Sequence, residues 1–233
     1  MDLVGSFAVV TGATEGIGRA TAFALGRAGA RVGICARTEP KVHATVGELR
    51  AVGIDAIGTA CDVSDPRAVE AFAAFVRRER GAPRVVVNNA GIGRFKPLAE
   101  LSLEDWDRTL EVNVRSLFLV TRAFLEGMRA AGGGTFVNVA SLAGKNGVEG
   151  GTAYCASKHA VLGFSKALLL EVRRYNVRVV AICPGSVNTG FREARPNRDR
   201  VLAPDDVAHA IVATLTAADR AMISELDLRP TNP

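Results

Sequence analysis

The sequence has no apolar run long enough to cross a membrane. Its longest apolar runs, at 85–87, 168–170 and 179–183, are far shorter than the roughly 20 residues that a spanning helix needs. No basic segment followed by an apolar one opens the chain, because the first five residues lead directly into a strand-like run. We therefore expect a cytoplasmic protein with no membrane partner.

Cysteine and histidine are scarce and scattered, which argues against disulfide and metal sites. The chain has four cysteines and three histidines: Cys35, Cys61, Cys155, Cys183, His43, His159 and His209. No C-x-x-C pair occurs, and no histidine stands at the spacing of a metal ligand. We expect no disulfide and no bound metal, and we interpret the histidines as structural or solvated.

Basic residues outnumber acidic ones, with a net charge of +5 and a pI of about 9.3. They are spread along the chain, without the interleaved aromatic residues or the motif of a nucleic-acid-binding domain. We therefore expect no nucleic-acid partner, and we interpret the excess charge as suited to anionic small molecules. No proline- or serine-rich linker, repeat or low-complexity segment divides the sequence. A single domain over 1–233 is predicted.

Strand-like and helix-like segments alternate along the whole chain. Strands are predicted at 6–11, 31–36, 56–61, 84–88, 134–140, 177–183 and 222–228, and helices at 17–28, 39–52, 66–80, 103–131, 152–174 and 204–217. Several strands are almost continuously apolar, which is typical of strands buried on both faces of a parallel sheet. The pattern predicts an α/β protein with one doubly wound, Rossmann-type domain of seven parallel strands and helices on both faces.

Glycines cluster in the segment TGATEGIG at 11–18, where the first predicted strand meets the first helix. Glycines mark any tight turn. Here, however, Gly12, Gly16 and Gly18 also permit close backbone approach to a pyrophosphate at a helix N-terminus, which favours anions. Their spacing is G-x-x-x-G-x-G rather than G-x-G-x-x-G. Because strand, glycines and helix come in the required order, we predict a dinucleotide-binding site.

The residues after the second predicted strand indicate which dinucleotide binds. An acidic residue there would bind the ribose 2′-hydroxyl of NAD, but the chain has Ala36-Arg37-Thr38. The guanidinium of Arg37 suits the 2′-phosphate of NADP, unless it is an ordinary solvated arginine. Glu15, in the glycine turn, adds an opposing negative charge. We predict NADP as the cofactor, with NAD as the alternative.

Tyr154 and Lys158 stand four residues apart in a segment predicted to be helical, so both project from one face. An ammonium close to a phenol favours the phenolate, which makes tyrosine a usable proton donor and acceptor near neutral pH. Ser141 ends a predicted strand, where its hydroxyl could meet the same substrate oxygen. The same spacing also occurs by chance, with a lysine stem lying along a half-buried tyrosine.

Taken together, these motifs resemble the short-chain dehydrogenase/reductase family, and the resemblance covers essentially the whole chain. The matching motifs are TGATEGIG at 11–18, Asp62-Val63, NNAG at 88–91, Asn113, Ser141, Tyr154-x-x-x-Lys158 and PGSVNT at 184–189. The resemblance implies hydride transfer between a nicotinamide cofactor and a small carbonyl or secondary-alcohol substrate, without a metal. Within the family, the chain is similar to 3-oxoacyl-carrier-protein reductases and to small ketone and hydroxy-acid reductases.

The resemblance also implies a role for each matching residue. Tyr154 is the general acid and base, Lys158 lowers its pKa and holds the nicotinamide ribose, and Ser141 bonds the substrate oxygen. Asn113 supports a water in the proton relay, although by itself it could equally satisfy backbone groups of its helix. The implied cofactor-binding residues are Gly12, Thr14, Glu15, Gly16, Ile17, Gly18, Arg37, Asp62, Val63, Asn89, Ala90, Gly91, Tyr154, Lys158, Pro184, Gly185, Val187 and Thr189. Of these, Asp62 could also be an ordinary turn residue.

The end of the chain departs from the common pattern of the family. The segment before 204, which is the substrate lid in the family, is short, and the final strand lacks the usual Asp-Gly-Gly ending. Basic residues of this segment either attract an acidic substrate or carrier protein or are simply solvated. They are Arg192, Arg195, Arg198 and Arg200. We expect the substrate pocket around Arg94-Phe95, 143–148 and 187–195, with a mixture of apolar and basic side chains.

Two further expectations concern activity and assembly. A non-catalytic nucleotide sensor or scaffold is the alternative to an oxidoreductase, and isomerisation or dehalogenation on the same fold is a third possibility. The predicted helices 103–131 and 152–174 carry apolar residues on more than one face, so each has a second surface to bury. The resemblance implies that these helices pair across a two-fold axis. We predict a homo-oligomer, a tetramer rather than a dimer.

Overall fold

Seven parallel strands form one sheet in the computed structural model, which describes residues 1–191 and 200–231. The strands are β1 (Phe7–Thr11), β2 (Arg31–Ala36), β3 (Ala56–Ala60), β4 (Val85–Asn88), β5 (Gly134–Val139), β6 (Val177–Pro184) and β7 (Glu225–Leu228). The helices are α1 (Gly16–Arg27), α2 (Glu39–Ala51), α3 (Pro66–Arg80), α4 (Leu103–Leu110), α5 (Ser116–Ala130), α6 (Thr152–Val172) and α7 (Pro204–Thr216). The strand order is β3-β2-β1-β4-β5-β6-β7. The predicted doubly wound α/β fold is confirmed.

The sheet is buried between two layers of helices because its strands are apolar on both faces. Side chains of β1 alternate between the layers, as the period of a strand requires. Ala8 and Val10 pack in the cluster that contains α1, α2 and α7. Phe7 and Val9 pack in the cluster that contains α3, α5 and α6. Both faces of β1 are thereby sealed from water, and its carboxyl end is held in a fixed position.

The strand order creates a cleft at the carboxyl ends of the sheet. β1 pairs with β2 on one side and with β4 on the other, so the chain reverses its direction of winding there. In open α/β sheets, ligands bind in the crevice at this reversal point. The glycine turn after β1 and the loop after β4 meet at this crevice.

The predicted helix 103–131 is interrupted by a π-helical stretch at Glu111–Arg115, which lies between α4 and α5. Asn113 lies within this stretch, and its side chain hydrogen-bonds both Ile92 and Ser157. A π-turn accommodates one more residue than an α-turn and is frequent at functional sites. The apolar periodicity that predicted the helix does not reveal such a local widening.

Two helix starts follow directly from the local sequence, and one strand is shorter than predicted. Asp65 caps α3 by accepting a hydrogen bond from the N–H of Arg67 at 2.9 Å. Ser102 caps α4 through the N–H of Asp105. The last strand begins at 225 rather than 222, because it pairs only with the final four residues of β6.

Among the described residues, no helix has the length and apolar character of a membrane span.

Candidate active site

A cavity of about 660 Å³ occupies the cleft at the carboxyl ends of the strands. Most residues predicted for cofactor and catalysis line it: Gly12, Thr14, Glu15, Gly16, Ile17, Arg37, Asp62, Val63, Asn89, Ala90, Gly91, Ser141, Tyr154, Lys158, Pro184, Gly185, Val187 and Thr189. Gly18 and Asn113 are buried behind the wall, where they approach Gly12 and Gly91 respectively. The volume lies within the usual range for small-molecule and cofactor sites.

The glycine turn packs backbone against backbone, which explains its residue types. Gly12 has a φ of +62°, and a β-carbon there would lie 2.9 Å from the α-carbon of Ala90. A β-carbon on Gly18 would lie 2.3 Å from the carbonyl oxygen of Gly12. The amide of Asn89 fixes the turn by donating to the carbonyl oxygens of Thr11 and Gly12 at 3.0 and 3.1 Å. Larger residues would therefore displace the turn from the cavity wall.

The N-terminus of α1 opens onto the same wall. Gly16 and Ile17, in the first turn of α1, line the cavity, and the preceding Glu15 makes no side-chain cap. The first N–H groups of a helix have no intrahelical acceptors and carry a partial positive charge. This part of the cavity therefore fits the pyrophosphate of a dinucleotide.

Charged side chains gather at the end of the cavity beside β2. Arg37 and Glu15 are both exposed there, and both line the wall. Lys41, which was not predicted, lines the wall as well, and its Nζ lies 3.6 Å from Oε2 of Glu15. The positive charge of Lys41 offsets the negative charge of Glu15, which would otherwise repel an anionic ligand. No local pattern identifies Lys41, because Arg37 precedes α2 and only the fold brings Lys41 to Glu15.

Asp62 is held in its charged form by a small network beside the cavity. It accepts hydrogen bonds from the N–H and hydroxyl of Ser64, at 3.0 and 2.6 Å, and from Nη2 of Arg108 at 3.0 Å. Partial burial alone would raise the pKa of Asp62, but the bonds from Ser64 and Arg108 outweigh it and lower the pKa. Arg108 also lies 3.5 Å from Glu111, at the start of the π-helical stretch. Sequence reasoning missed Arg108, an ordinary-looking arginine on a surface helix.

Tyr154, Lys158 and Ser141 share the opposite end of the cavity. Tyr154 and Lys158 lie on successive turns of α6, with Nζ of Lys158 5.8 Å from the centre of the tyrosine ring. Lys158 is 5% exposed and donates to the carbonyl oxygen of Val139 at 2.8 Å. Its burial lowers the pKa of the ammonium to about 8. Ser141 lies two residues beyond the end of β5 and donates to the carbonyl oxygen of Pro184 at 3.4 Å.

Asn113 acts on the site through its neighbours rather than from the wall. Its Oδ1 accepts from the N–H of Ile92 at 2.8 Å, and its Nδ2 donates to the carbonyl oxygen of Ile92 at 2.8 Å and to Oγ of Ser157 at 2.9 Å. Ser157 in turn donates to the carbonyl oxygen of Tyr154 at 2.7 Å. A second cavity of about 10 Å³, close to the size of one water, touches Asn113 and Lys158. The predicted part in a water relay stays a prediction.

Aromatic side chains surround Tyr154, and the basic ones expected nearby point elsewhere. The rings of Phe95 and Phe191 lie 5.2 and 5.6 Å from the tyrosine ring, centre to centre. Arg94 is directed to Asp105 at 3.4 Å. Lys145 binds two carboxylates of β7, Glu225 and Asp227, and these bonds raise its pKa above the usual range. The expected basic contribution to the pocket is therefore wrong for Arg94 and Lys145. Of the lid arginines, Arg192, Arg195 and Arg198 lie outside the described residues, and Arg200 is exposed.

Known proteins are similar to this chain in sequence and in architecture. A family model for short chain dehydrogenases matches residues 6–200. The granaticin polyketide synthase putative ketoacyl reductase 1 of Streptomyces violaceoruber is 44% identical over 188 residues, covering 80% of this chain and 69% of the relative.

Solved structures agree over nearly the full length. A metagenomic short-chain oxidoreductase in complex with NADP is 42% identical, with a TM-score of 0.88 over 99% of this chain and 100% of its own. An actinorhodin polyketide ketoreductase variant with NADPH is 37% identical, with a TM-score of 0.89 over 97% and 96%. The family match, the identities and the shared architecture lead to one conclusion: the chain belongs to the short-chain dehydrogenase family.

Proposed function

We propose that this protein is an NADP(H)-dependent oxidoreductase that interconverts a ketone and a secondary alcohol. The observation that carries the proposal is one cavity with two chemically different ends. The glycine turn and two basic side chains lie at one end. A tyrosine, a buried lysine and a serine lie at the other. Such an arrangement suits a long anionic cofactor and a proton transfer at its reactive end.

The residues present fit NADP(H). The turn at Gly12 and Gly16 and the start of α1 would hold the pyrophosphate, since no β-carbon or capping side chain obstructs them. Arg37 and Lys41 would bind the 2′-phosphate, and their two charges exceed that of Glu15. The NADP or NADPH of the solved relatives supports the same choice. NADPH, when bound, supplies the hydride that reduces a carbonyl carbon.

The chain's own residues handle the proton. Tyr154 donates its phenolic proton to the substrate oxygen as that oxygen gains negative charge, and Ser141 donates a hydrogen bond to the same atom. The phenolate that remains is stabilised by the ammonium of Lys158, which is fixed by its bond to Val139 in surroundings that water does not screen. Asn113 keeps the turn of α6 that carries Tyr154 in place through Ser157. In alcohol oxidation, the same groups take up the proton.

The test is carbonyl-dependent oxidation of NADPH over a panel of ketones, with Tyr154→Phe as the variant. We expect turnover to fall by at least about a hundredfold, the usual scale for a general acid, with the Kd of NADPH nearly unchanged. Tyr175→Phe is the matched control. Tyr175 is the only other tyrosine and lies three residues beyond the end of α6, against Arg129.

Two outcomes would contradict the proposal. A Tyr154→Phe variant with most of its turnover would remove Tyr154 from the mechanism. If the wild-type protein binds NADPH but none of the ketones causes its oxidation, the result would favour a sensor or scaffold. Turnover of another substrate without net consumption of the cofactor would favour isomerisation.

We further propose a homo-oligomer, a tetramer rather than a dimer, located in the cytoplasm. Several of the apolar residues expected on α5 and α6 are buried in the chain's own core, Phe124 and Leu168 among them. Leu103, Phe118 and Leu170 stay 75%, 45% and 64% exposed, so α4, α5 and α6 each keep an apolar side chain that a partner subunit could cover. All four cysteines, each within the described part of the chain, carry free thiols, which agrees with a reducing compartment.

A further inference from the structure

We propose that the substrate of this site is a ketone with an aromatic ring next to its carbonyl carbon, held by Phe95 and Phe191 beside Tyr154. The proposal rests on the proposed function, since it assigns the substrate class of the same site. Its basis is a cluster of three aromatic rings around the proton-donating side chain.

The three rings form one continuous surface. Phe95 is tilted by 53° and Phe191 by 56° to the ring of Tyr154, at centre-to-centre distances within the range of favourable aromatic pairs. The two phenylalanines meet at Gly93. A β-carbon there would lie 2.6 Å from Cε2 of Phe95 and 2.7 Å from Cε1 of Phe191. Glycine at this position therefore lets both rings close around the tyrosine.

The position of Phe191 depends on the loop that follows β6. Its N–H donates to Oγ1 of Thr189 at 3.3 Å, and a β-carbon on Gly16 would lie 3.1 Å from Cγ2 of Thr189. Phe191 is 41% exposed, so part of its ring is accessible to a ligand. A ketone whose oxygen reaches Tyr154 must place its substituents against these rings.

In the part of the chain that the structure describes, the rest of this end of the cavity is also poor in charge. Ile92, Leu142 and Val148 line it, whereas Glu15, Arg37, Lys41 and Asp62 belong to the cofactor end. Among the described residues, Arg229 is the one charged side chain of the wall here besides Lys158, and it lies 4.0 Å from Asp227. A flat apolar group can stack on these aromatic faces.

The experiment compares two ketones of the same skeleton, acetophenone and cyclohexyl methyl ketone, which differ in the planarity of the ring and in its conjugation with the carbonyl group. We expect the wild-type kcat/KM to favour acetophenone by about two- to tenfold, the range for one aromatic pair. Phe95→Leu and Phe191→Leu should each bring this ratio toward one while the Kd of NADPH stays unchanged. Phe75→Leu is the control, because Phe75 lies on α3, away from the cavity, and its ring packs against Arg78.

Calorimetric binding of 1-phenylethanol and 1-cyclohexylethanol to the NADP-loaded protein separates this inference from the proposed function. Turnover of both ketones with a ratio at or below one, or a ratio unchanged in both leucine variants, overturns the aromatic assignment and leaves the oxidoreductase standing. Preferential binding of the phenyl compound without any NADPH oxidation supports the aromatic site and overturns the oxidoreductase. Equal binding without turnover overturns both.

Discussion

Lys158 should cost the folded protein stability, and its removal should therefore stabilise the chain at neutral pH. Burial lowers the pKa of this lysine to about 8, against about 10.4 for an exposed lysine. Each pKa unit corresponds to about 1.4 kcal/mol, so keeping the ammonium charged at pH 7 costs about 3 kcal/mol. In Lys158→Met this cost disappears together with the bond to Val139, which contributes about 2 kcal/mol because its donor is charged. We expect Lys158→Met to raise the free energy of unfolding by about 1 kcal/mol at pH 7 and to abolish most turnover.

The pH dependence gives this prediction its sign. Between about pH 8 and 10.5 the folded wild type has released the proton from Lys158 while the unfolded chain still holds it. Because the unfolded state then binds more protons, the free energy of unfolding of the wild type rises with pH across this window. The Lys158→Met variant lacks this rise, so its advantage should be full below pH 8 and shrink as the pH approaches 10.

Urea unfolding at pH 7, 8.5 and 10, at one protein concentration, measures the effect. Lys166→Met is the control, because Lys166 lies on the same helix with its side chain 72% exposed and should show no comparable change. A Lys158→Met variant that is less stable than wild type at pH 7 would refute the reasoning. A stability gain of the same size at all three pH values would refute it too, since it would then not arise from the buried charge.

Three other predictions follow from the charged and apolar groups described above. In fluorescence titrations, Arg37→Ala should raise the Kd of NADPH about ten- to a hundredfold, as expected for the loss of a charge-assisted bond, and leave the Kd of NADH unchanged. Lys41→Ala should also raise the Kd of NADPH, but by a smaller factor. Tighter binding of NADH than of NADPH by the wild type would contradict the cofactor assignment. Arg108→Gln should raise the Kd of NADPH by about tenfold because Asp62 loses its ionic partner, whereas Arg115→Gln should not. Light scattering at micromolar concentration should give a tetramer that Leu170→Glu dissociates, and a monomeric wild type would exclude the proposed assembly.

The sequence predicts the fold and the two ends of the cavity, because both depend on local patterns. Continuous apolar runs reveal strands buried on both faces, and the glycine turn identifies the carboxyl end of β1. Tyr154 and Lys158 are found because helical spacing alone brings them to one face. The single domain over 1–233 stays a prediction.

Other features depend on contacts between distant segments, and no local pattern encodes them. Lys41 and Arg108 are typical surface residues in sequence, and only the fold brings them to Glu15 and Asp62. Arg94 and Lys145 were expected at the pocket from their positions in the chain. Nearby carboxylates attract them away from it, and these carboxylates belong to α4 and β7.

The π-helical stretch between α4 and α5 has a consequence for any attempt to make this helix more regular. Rewinding these residues as regular α-helix, with none of them removed, would rotate everything beyond them by about 100° about the axis. Val120 and Phe124 would turn away from the sheet, and Asn113 could no longer reach both Ile92 and Ser157. The extra residue thus works as a phase shift. It allows α4, a surface helix, and α5, a core helix, to form one continuous helix although they pack against the protein through different faces.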